Sequence, residues 1–112
     1  MKNYHIKRVN PSEGAGRVSV EVHDGDKRRL LDPRPSQQVY NHSPDGFEFG
    51  YHGSGPAQLA LAILLDFTDN TRVSRQLYQQ FKADHIATLP EEGGIILGNT
   101  IYNWVSDNYQ QE

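Results

Sequence analysis

The segment of this sequence with the clearest chemical potential is a glycine-rich turn between an aromatic stretch and an apolar run. Residues 47–56 read FEFGYHGSGP, and they lead directly into the run AQLALAILL at 57–65. The first backbone N–H groups of a helix have no intrahelical acceptor, and the helix dipole adds partial positive charge there. We therefore expect the amides around residues 54–57 to bind an anion such as a phosphate or a carboxylate.

Aromatic and cationic side chains supply the remaining contacts of this predicted site. Tyr40 and Tyr51 are the better candidates for stacking on a planar ligand, because a phenol tolerates water at one end. Arginines of the N-terminal third can form ion pairs with the phosphates of such a ligand. The predicted ligand-binding residues are Arg28, Arg29, Arg34, Tyr40, Tyr51, His52, Gly53, Ser54 and Gly55. The alternative interpretation is structural, with the glycines serving only a tight turn into the helix.

Catalytic and metal chemistry fit the residue spacing less well. His52 and Ser54 suggest a nucleophile and its base, but a nucleophile elbow needs Gly-X-Ser-X-Gly, and Ser54 fits a helix N-cap. No lysine follows the glycines as it does in a nucleotide-binding P-loop. The histidines at 5, 23, 42, 52 and 85 lack the spacing of metal ligands on one helical face. We expect no metal and no cofactor, and a binding protein rather than an enzyme.

Length and composition indicate one domain. The chain has 112 residues and no cysteine, and none of its apolar runs approaches the length of a membrane span. We therefore predict a single domain over residues 1–112, located in the cytoplasm and without a membrane partner. Within it, residues 1–34 are expected to form a β-meander, 35–46 a connecting loop, and 47–112 a mainly helical part.

The charges are divided unevenly along the chain. Residues 1–34 hold eight Lys or Arg against five acids, whereas the rest of the chain holds three against nine. This asymmetry fits a homo-oligomer whose opposite faces meet, and it also fits the capture of a small anion. Nucleic-acid binding is not expected, because it normally requires a larger and more continuous basic excess.

Hydrophobic periodicity predicts an α+β fold. Val18, Val20 and Val22 alternate with polar residues, which is typical of a half-buried strand. The predicted strands are 4–9, 18–23, 27–31 and a shorter one at 47–51, with turns at 10–16 and 24–26. Predicted helices begin near residues 54, 70 and 99, and the first two end near 66–69 and before Pro90. We expect an antiparallel sheet of three or four strands packed on the apolar first helix, with two further helices closing the core.

Three motifs carry a family resemblance. They are NHSPDGFEFGYHGSGPAQLALAIL at 41–64, LDPR at 31–34 and LYQQFK at 77–82. Together they resemble a small family of unknown function from bacteria, archaea and their phages and plasmids, over residues 18–89. The sequence departs from the family pattern at Phe49 and His52, where a tryptophan and a glycine are expected, and around 97–100, where a Thr-led acidic helix start is expected. The resemblance implies an accessory protein of a mobile element, with counter-defence as its natural role.

Three functions remain open at this point. The leading hypothesis is a non-enzymatic protein that sequesters a phosphorylated small ligand, such as a nucleotide signal, at the glycine-rich turn. The alternative is an inhibitor, similar to an anti-CRISPR protein, that blocks a host defence protein or nuclease with the 32–46 loop and the acidic helical half. The third is a small hydrolase that uses His52.

Overall fold

A computed structural model describes residues 1–9 and 17–109, and within them a four-stranded antiparallel sheet forms one layer. The strands are β1 (Asn3–Val9), β2 (Arg17–Asp24), β3 (Lys27–Leu30) and β4 (Gly94–Ile96), in the spatial order β3-β2-β1-β4. The first three strands form the predicted meander. The turn predicted at 10–16 lies outside the described residues.

The fourth strand comes from a different part of the chain than expected. Residues 47–51 form no strand, although their aromatic residues alternate with polar ones. Instead β4 pairs with the free edge of β1, with Tyr4 opposite Ile96 and His5 opposite Ile95. Three residues are too short a run for sequence periodicity to distinguish a strand from a buried turn.

Four α-helices form the second layer. They are α1 (Arg34–Val39), α2 (Ser54–Thr68), α3 (Thr71–Phe81) and α4 (Gly98–Asn108), and a π-helical turn at Lys82–Ile86 extends α3. Asn70 caps α3 as expected, because its side chain accepts a hydrogen bond from the Val73 amide at 3.1 Å. The short α1 occupies part of the predicted loop at 35–46. Its Pro35 stands in the first turn, where a missing N–H costs nothing.

The core lies between one face of the sheet and α2. Side chains alternate along the strands, so Tyr4, Ile6, Val20 and Val22 are buried against the helices. Helix α2 is buried at every position from 55 to 64, which confirms the predicted central apolar helix. The α+β class is therefore confirmed. None of the helices in the described part of the chain is long and apolar enough to span a membrane.

Candidate functional site

The amino end of α2, at residues 53–57, retains open hydrogen-bond donors. Gly53 is the N-cap and provides no side-chain cap, so the predicted N-cap Ser54 is instead the first helical residue. The Ala57 amide donates to the Gly53 carbonyl at 3.0 Å, but the amides of Ser54 and Gly55 have no acceptor among residues 1–9 and 17–109. Ser54 is exposed and Gly55 is buried. An anion can therefore approach this end from the Ser54 side.

The structure explains the glycines of the turn in different ways. Gly50 has φ of +87°, and its amide donates to the Ile86 carbonyl at 3.0 Å, which anchors the turn on the π-helical segment. Gly53 is fully extended, a conformation that any residue adopts. At Gly55, an added Cβ would lie 2.6 Å from the Glu48 Cβ. Gly55 is thus required by close packing and Gly50 by its backbone conformation.

Tyr40 and Tyr51, two of the predicted stacking residues, lie in loops next to this end of α2. Their side chains are 56% and 49% exposed. The Tyr40 ring stacks on the His42 ring with 4.1 Å between centroids and 17° between planes. The His42 Nε2 atom lies 2.7 Å from the Tyr78 hydroxyl on α3. Tyr40 is therefore an exposed ring supported from behind by a second ring.

Gln58 holds the loop that carries Tyr40, and its role was missed from the sequence. Its Oε1 accepts from the amides of His42 and Ser43 at 2.7 and 2.9 Å, and its Nε2 donates to the Ser36 hydroxyl and the Tyr40 carbonyl at 2.9 and 3.1 Å. The side chain is fully buried. An amide inside an apolar run must find such partners, and this was the signal available in the sequence.

The three predicted arginines contact residues outside the turn. Arg29 donates to Asp66, twelve residues beyond Ser54 on α2, which corresponds to about 18 Å along the helix axis. Arg28 contacts His23 on the opposite face of the sheet, and Arg34 pairs with Asp32 at 2.7 Å. These side chains serve other parts of the fold.

Two other cations, Arg8 and Lys82, act on residues that adjoin the turn or the Tyr40 loop. Arg8 donates to Glu48 at 2.8 Å and lies over the Phe49 ring, 4.4 Å from its centroid. Lys82, at the end of α3, acts on His42: burial first and the Lys82 charge second lower the pKa of His42. His42 is therefore neutral near pH 7.

The described residues do not bring together the groups that a hydrolase or a metal site would need. His52 and Ser54 are both exposed, and no hydrogen bond joins them to each other or to a carboxylate in the described part of the chain. The same residues contain no group of three or more His, Asp or Glu side chains that could hold a metal ion. What the turn offers chemically is open amides and exposed aromatic rings.

The fold and the turn define a small α+β domain with an open helix end flanked by exposed aromatic rings. The chain belongs to the family of unknown function DUF6166, whose sequence model matches residues 10–107. The match covers most of the chain, including the turn, helices α1 to α3 and all but the last residue of α4. No curated protein and no solved structure matches the chain.

Proposed function

We propose that the protein is a non-enzymatic binding protein that holds a phosphorylated small ligand at the amino end of α2. The observation that carries the proposal is the pair of amides at Ser54 and Gly55 without an acceptor among the described residues. These donors and the helix dipole favour a phosphate group. The exposed ring of Tyr51 borders the same turn, so a planar ligand has a surface on which to stack.

A nucleotide fits this combination better than inorganic phosphate alone. Phosphate finds donors at residues 54 and 55, while Tyr51 and Tyr40 are available to the base. Arg8, which pairs with Glu48, and Lys82, which acts on His42, can contribute positive charge. Sequestration of a nucleotide signal requires no catalytic group, and none is assembled at the turn in the described residues.

The test is isothermal titration of the protein with mononucleotides, cyclic oligonucleotides and inorganic phosphate. Ser54→Asp places a carboxylate on the open amides and repels an incoming phosphate, so we expect affinity to fall at least about tenfold. Asn99→Asp is the matched control, because it puts the same charge in the exposed first turn of α4. Absence of heat with every phosphorylated ligand, or equal losses in the two variants, would contradict the proposal.

A protein-blocking inhibitor is the second candidate, and the exposed apolar residues near β4 favour it. Ile95, Leu97 and Tyr102 are each more than half exposed, and the acids Glu91 and Glu92 precede them in an exposed turn. Apolar side chains beside acids suit a basic protein surface. Reversal of both acids to lysine would abolish such an interaction, whereas Ser54→Asp would leave it intact.

Either activity fits a counter-defence role in a phage or another mobile element, which is the role that the sequence resemblance implies. A sequestering protein removes a host nucleotide signal, and an inhibitor occupies a host defence protein. Expression in a host with a signal-dependent defence system distinguishes them. Protection of the phage that is lost in Ser54→Asp indicates sequestration, while protection that is lost only on reversal of Glu91 and Glu92 indicates inhibition.

A further inference from the structure

The fold divides the basic residues of the N-terminal third into two groups. Four of them pair with carboxylates: Lys2 and Arg29 with Asp66, Arg8 with Glu48, and Arg34 with Asp32. The other four, Lys7, Arg17, Lys27 and Arg28, have no carboxylate within ion-pair distance among the described residues. The sequence count alone could not show this division, because partners such as Arg29 and Asp66 are distant in sequence.

Three of these four cations share the outward face of the sheet, opposite the core. Lys7 lies opposite Ser19, Arg17 opposite Val9, and Arg28 opposite His23, all on the side away from buried Val20 and Val22. Arg17 and Arg28 stand near the two ends of β2, about 20 Å apart, with Lys7 between them. This spacing places three exposed cations across the outward face of the sheet.

A stacked pair of histidine rings stands on the same face. The His5 and His23 rings are 3.5 Å apart and nearly parallel, at 14°. His23 is held on both sides, because its Nε2 lies 2.5 Å from a Glu21 carboxylate oxygen and its Nδ1 contacts Arg28. One row across the sheet places Leu30, Glu21, His5 and Ile95 in direct register, with the apolar residues at its ends exposed. Planar rings are surfaces on which nucleobases stack.

A cleft of about 400 Å³ opens beside His5 on this face. Glu21 and Glu92 line it together with Lys7 and Ile95. Carboxylates beside a stacking ring would repel a phosphate, but they accept hydrogen bonds from the exocyclic amino groups of bases. The cations can thus follow the phosphates while the acids contact base edges.

We propose that the outward face of the sheet binds single-stranded nucleic acid, with phosphates along Arg28, Lys7 and Arg17 and a base stacked on His5. The cleft acids favour a base that carries an amino group, such as cytosine, over uracil. The overall charge balance of the sequence did not indicate nucleic-acid binding, and the affinity is accordingly modest, with Kd on the order of 10⁻⁴ to 10⁻⁵ M at low salt, because only three cations contribute. This surface lies on the opposite side of the sheet from α2, so the proposal is independent of the ligand site at the turn.

Fluorescence anisotropy with labelled short homopolymers of cytidine and uridine, as RNA and as DNA, tests the proposal. We expect the cytidine polymers to bind several-fold more tightly than the uridine polymers, with a slope of log K against log salt of about −2. Binding of RNA alone, of DNA alone or of both supports the proposal and identifies the source. Equal binding of a duplex or of polyglutamate would overturn it, since charge alone would then explain the result, as would no binding at low salt.

Matched variants distinguish binding at this face from a non-specific effect of the protein's net charge. Arg17→Glu with Arg28→Glu should weaken binding at least about tenfold, whereas Arg72→Glu with Arg75→Glu, which makes the same charge change on the exposed side of α3, should have little effect. Equal losses in the two double variants would overturn the proposal.

The stacking and base-reading contacts are tested separately. His5→Leu should weaken binding about tenfold and His5→Tyr should restore it, because only a ring can stack. Glu92→Ala should reduce the preference for cytidine without weakening binding to uridine. His5→Leu that binds as tightly as the unchanged protein, in a variant with unaltered thermal unfolding, would contradict stacking on this face.

Discussion

The two ends of α2 are built in opposite ways. At the amino end, the amides of Ser54 and Gly55 have no acceptor among the described residues, and the rings of Tyr40 and Tyr51 are exposed. At the carboxyl end, Asp66 accepts from the Tyr4 hydroxyl at 2.6 Å and from Arg29 at 2.7 Å, and its carbonyl accepts from Lys2 at 2.9 Å. One end presents its polar groups, and the other is closed by side chains that are distant in sequence.

The two ends of α2 therefore contribute differently to the stability of the fold. A carboxylate with a buried hydroxyl and two cations around it fixes the helix on the sheet, since removing any partner leaves a polar group unsatisfied. The amides of Ser54 and Gly55 make no hydrogen bond among the described residues, and of these two residues only Ser54 is exposed. The amino end nevertheless needs a rigid frame, which Gln58 provides by holding the 40–43 loop.

The largest effect is expected when that frame is removed. Gln58→Leu keeps the volume of the side chain but leaves the His42 and Ser43 amides without their buried acceptor. We expect the free energy of unfolding to fall by about 3 kcal/mol, measured by urea denaturation. Gln79→Leu makes the same chemical change at an exposed position of α3 and should be close to neutral. A neutral Gln58→Leu would show that the loop does not depend on the clamp.

Some of these elements could be predicted from the sequence and others could not. Helix α2 and its start were predictable, because an apolar run after Gly and Pro has few other structures available. The meander was predictable from the alternating valines of β2 and the turn at 24–26. Helix α1 was not, since prolines at 33 and 35 favour a loop in sequence, whereas in the fold Pro33 is the N-cap of α1 and Pro35 lies in its first turn.

The composition of the candidate site was less predictable than its position. The open amides follow from the local pattern of residues 53–57, which the sequence contains. The partners of the arginines do not, because Arg29 and Asp66 are 37 residues apart and meet only when β3 packs beside the end of α2. Long-range pairing of this kind has no local periodicity, so the sequence alone does not show which carboxylate each arginine contacts.

A smaller effect is expected at the closed end, and it depends on pH. Burial first, and then the hydrogen bond to Asp66, raise the pKa of the Tyr4 hydroxyl well above its usual value. The folded state therefore favours the protonated phenol, and this contribution is complete below the unfolded pKa of about 10 and is lost as the pH rises above it. Tyr4→Phe should cost about 1 kcal/mol near pH 8 and should weaken the fall in stability above pH 10 or so.

Urea denaturation of both proteins across the alkaline range measures this difference. Tyr102→Phe is the control, because Tyr102 is exposed on α4 and the change should not alter the alkaline slope. If Tyr4→Phe and the unchanged protein lose stability in parallel above pH 10 or so, the Tyr4 hydroxyl does not close the carboxyl end as described.

The smallest effect is expected at the open end under acid conditions. Burial, and then the charge of Lys82, lower the pKa of His42, so the folded state favours the neutral ring. The resulting stabilisation is complete above the unfolded pKa of about 6.5 and is lost as the pH falls through the lower folded value. Because the ring is partly exposed, we expect only about a threefold loss of hydrogen-exchange protection at the His42 and Ser43 amides as the pH falls from about 7 to about 5.

Hydrogen exchange can localise this loss, which stability measurements cannot do. Amides around Asp66 should keep their protection over the same pH range, since no histidine contacts that carboxylate among the described residues. His42→Gln should remove the acid-dependent change at the 40–43 loop, because an amide side chain does not titrate near pH 6. If both ends of α2 lost protection together, they would open as one cooperative unit, and the division between an open and a closed end would not extend to their dynamics.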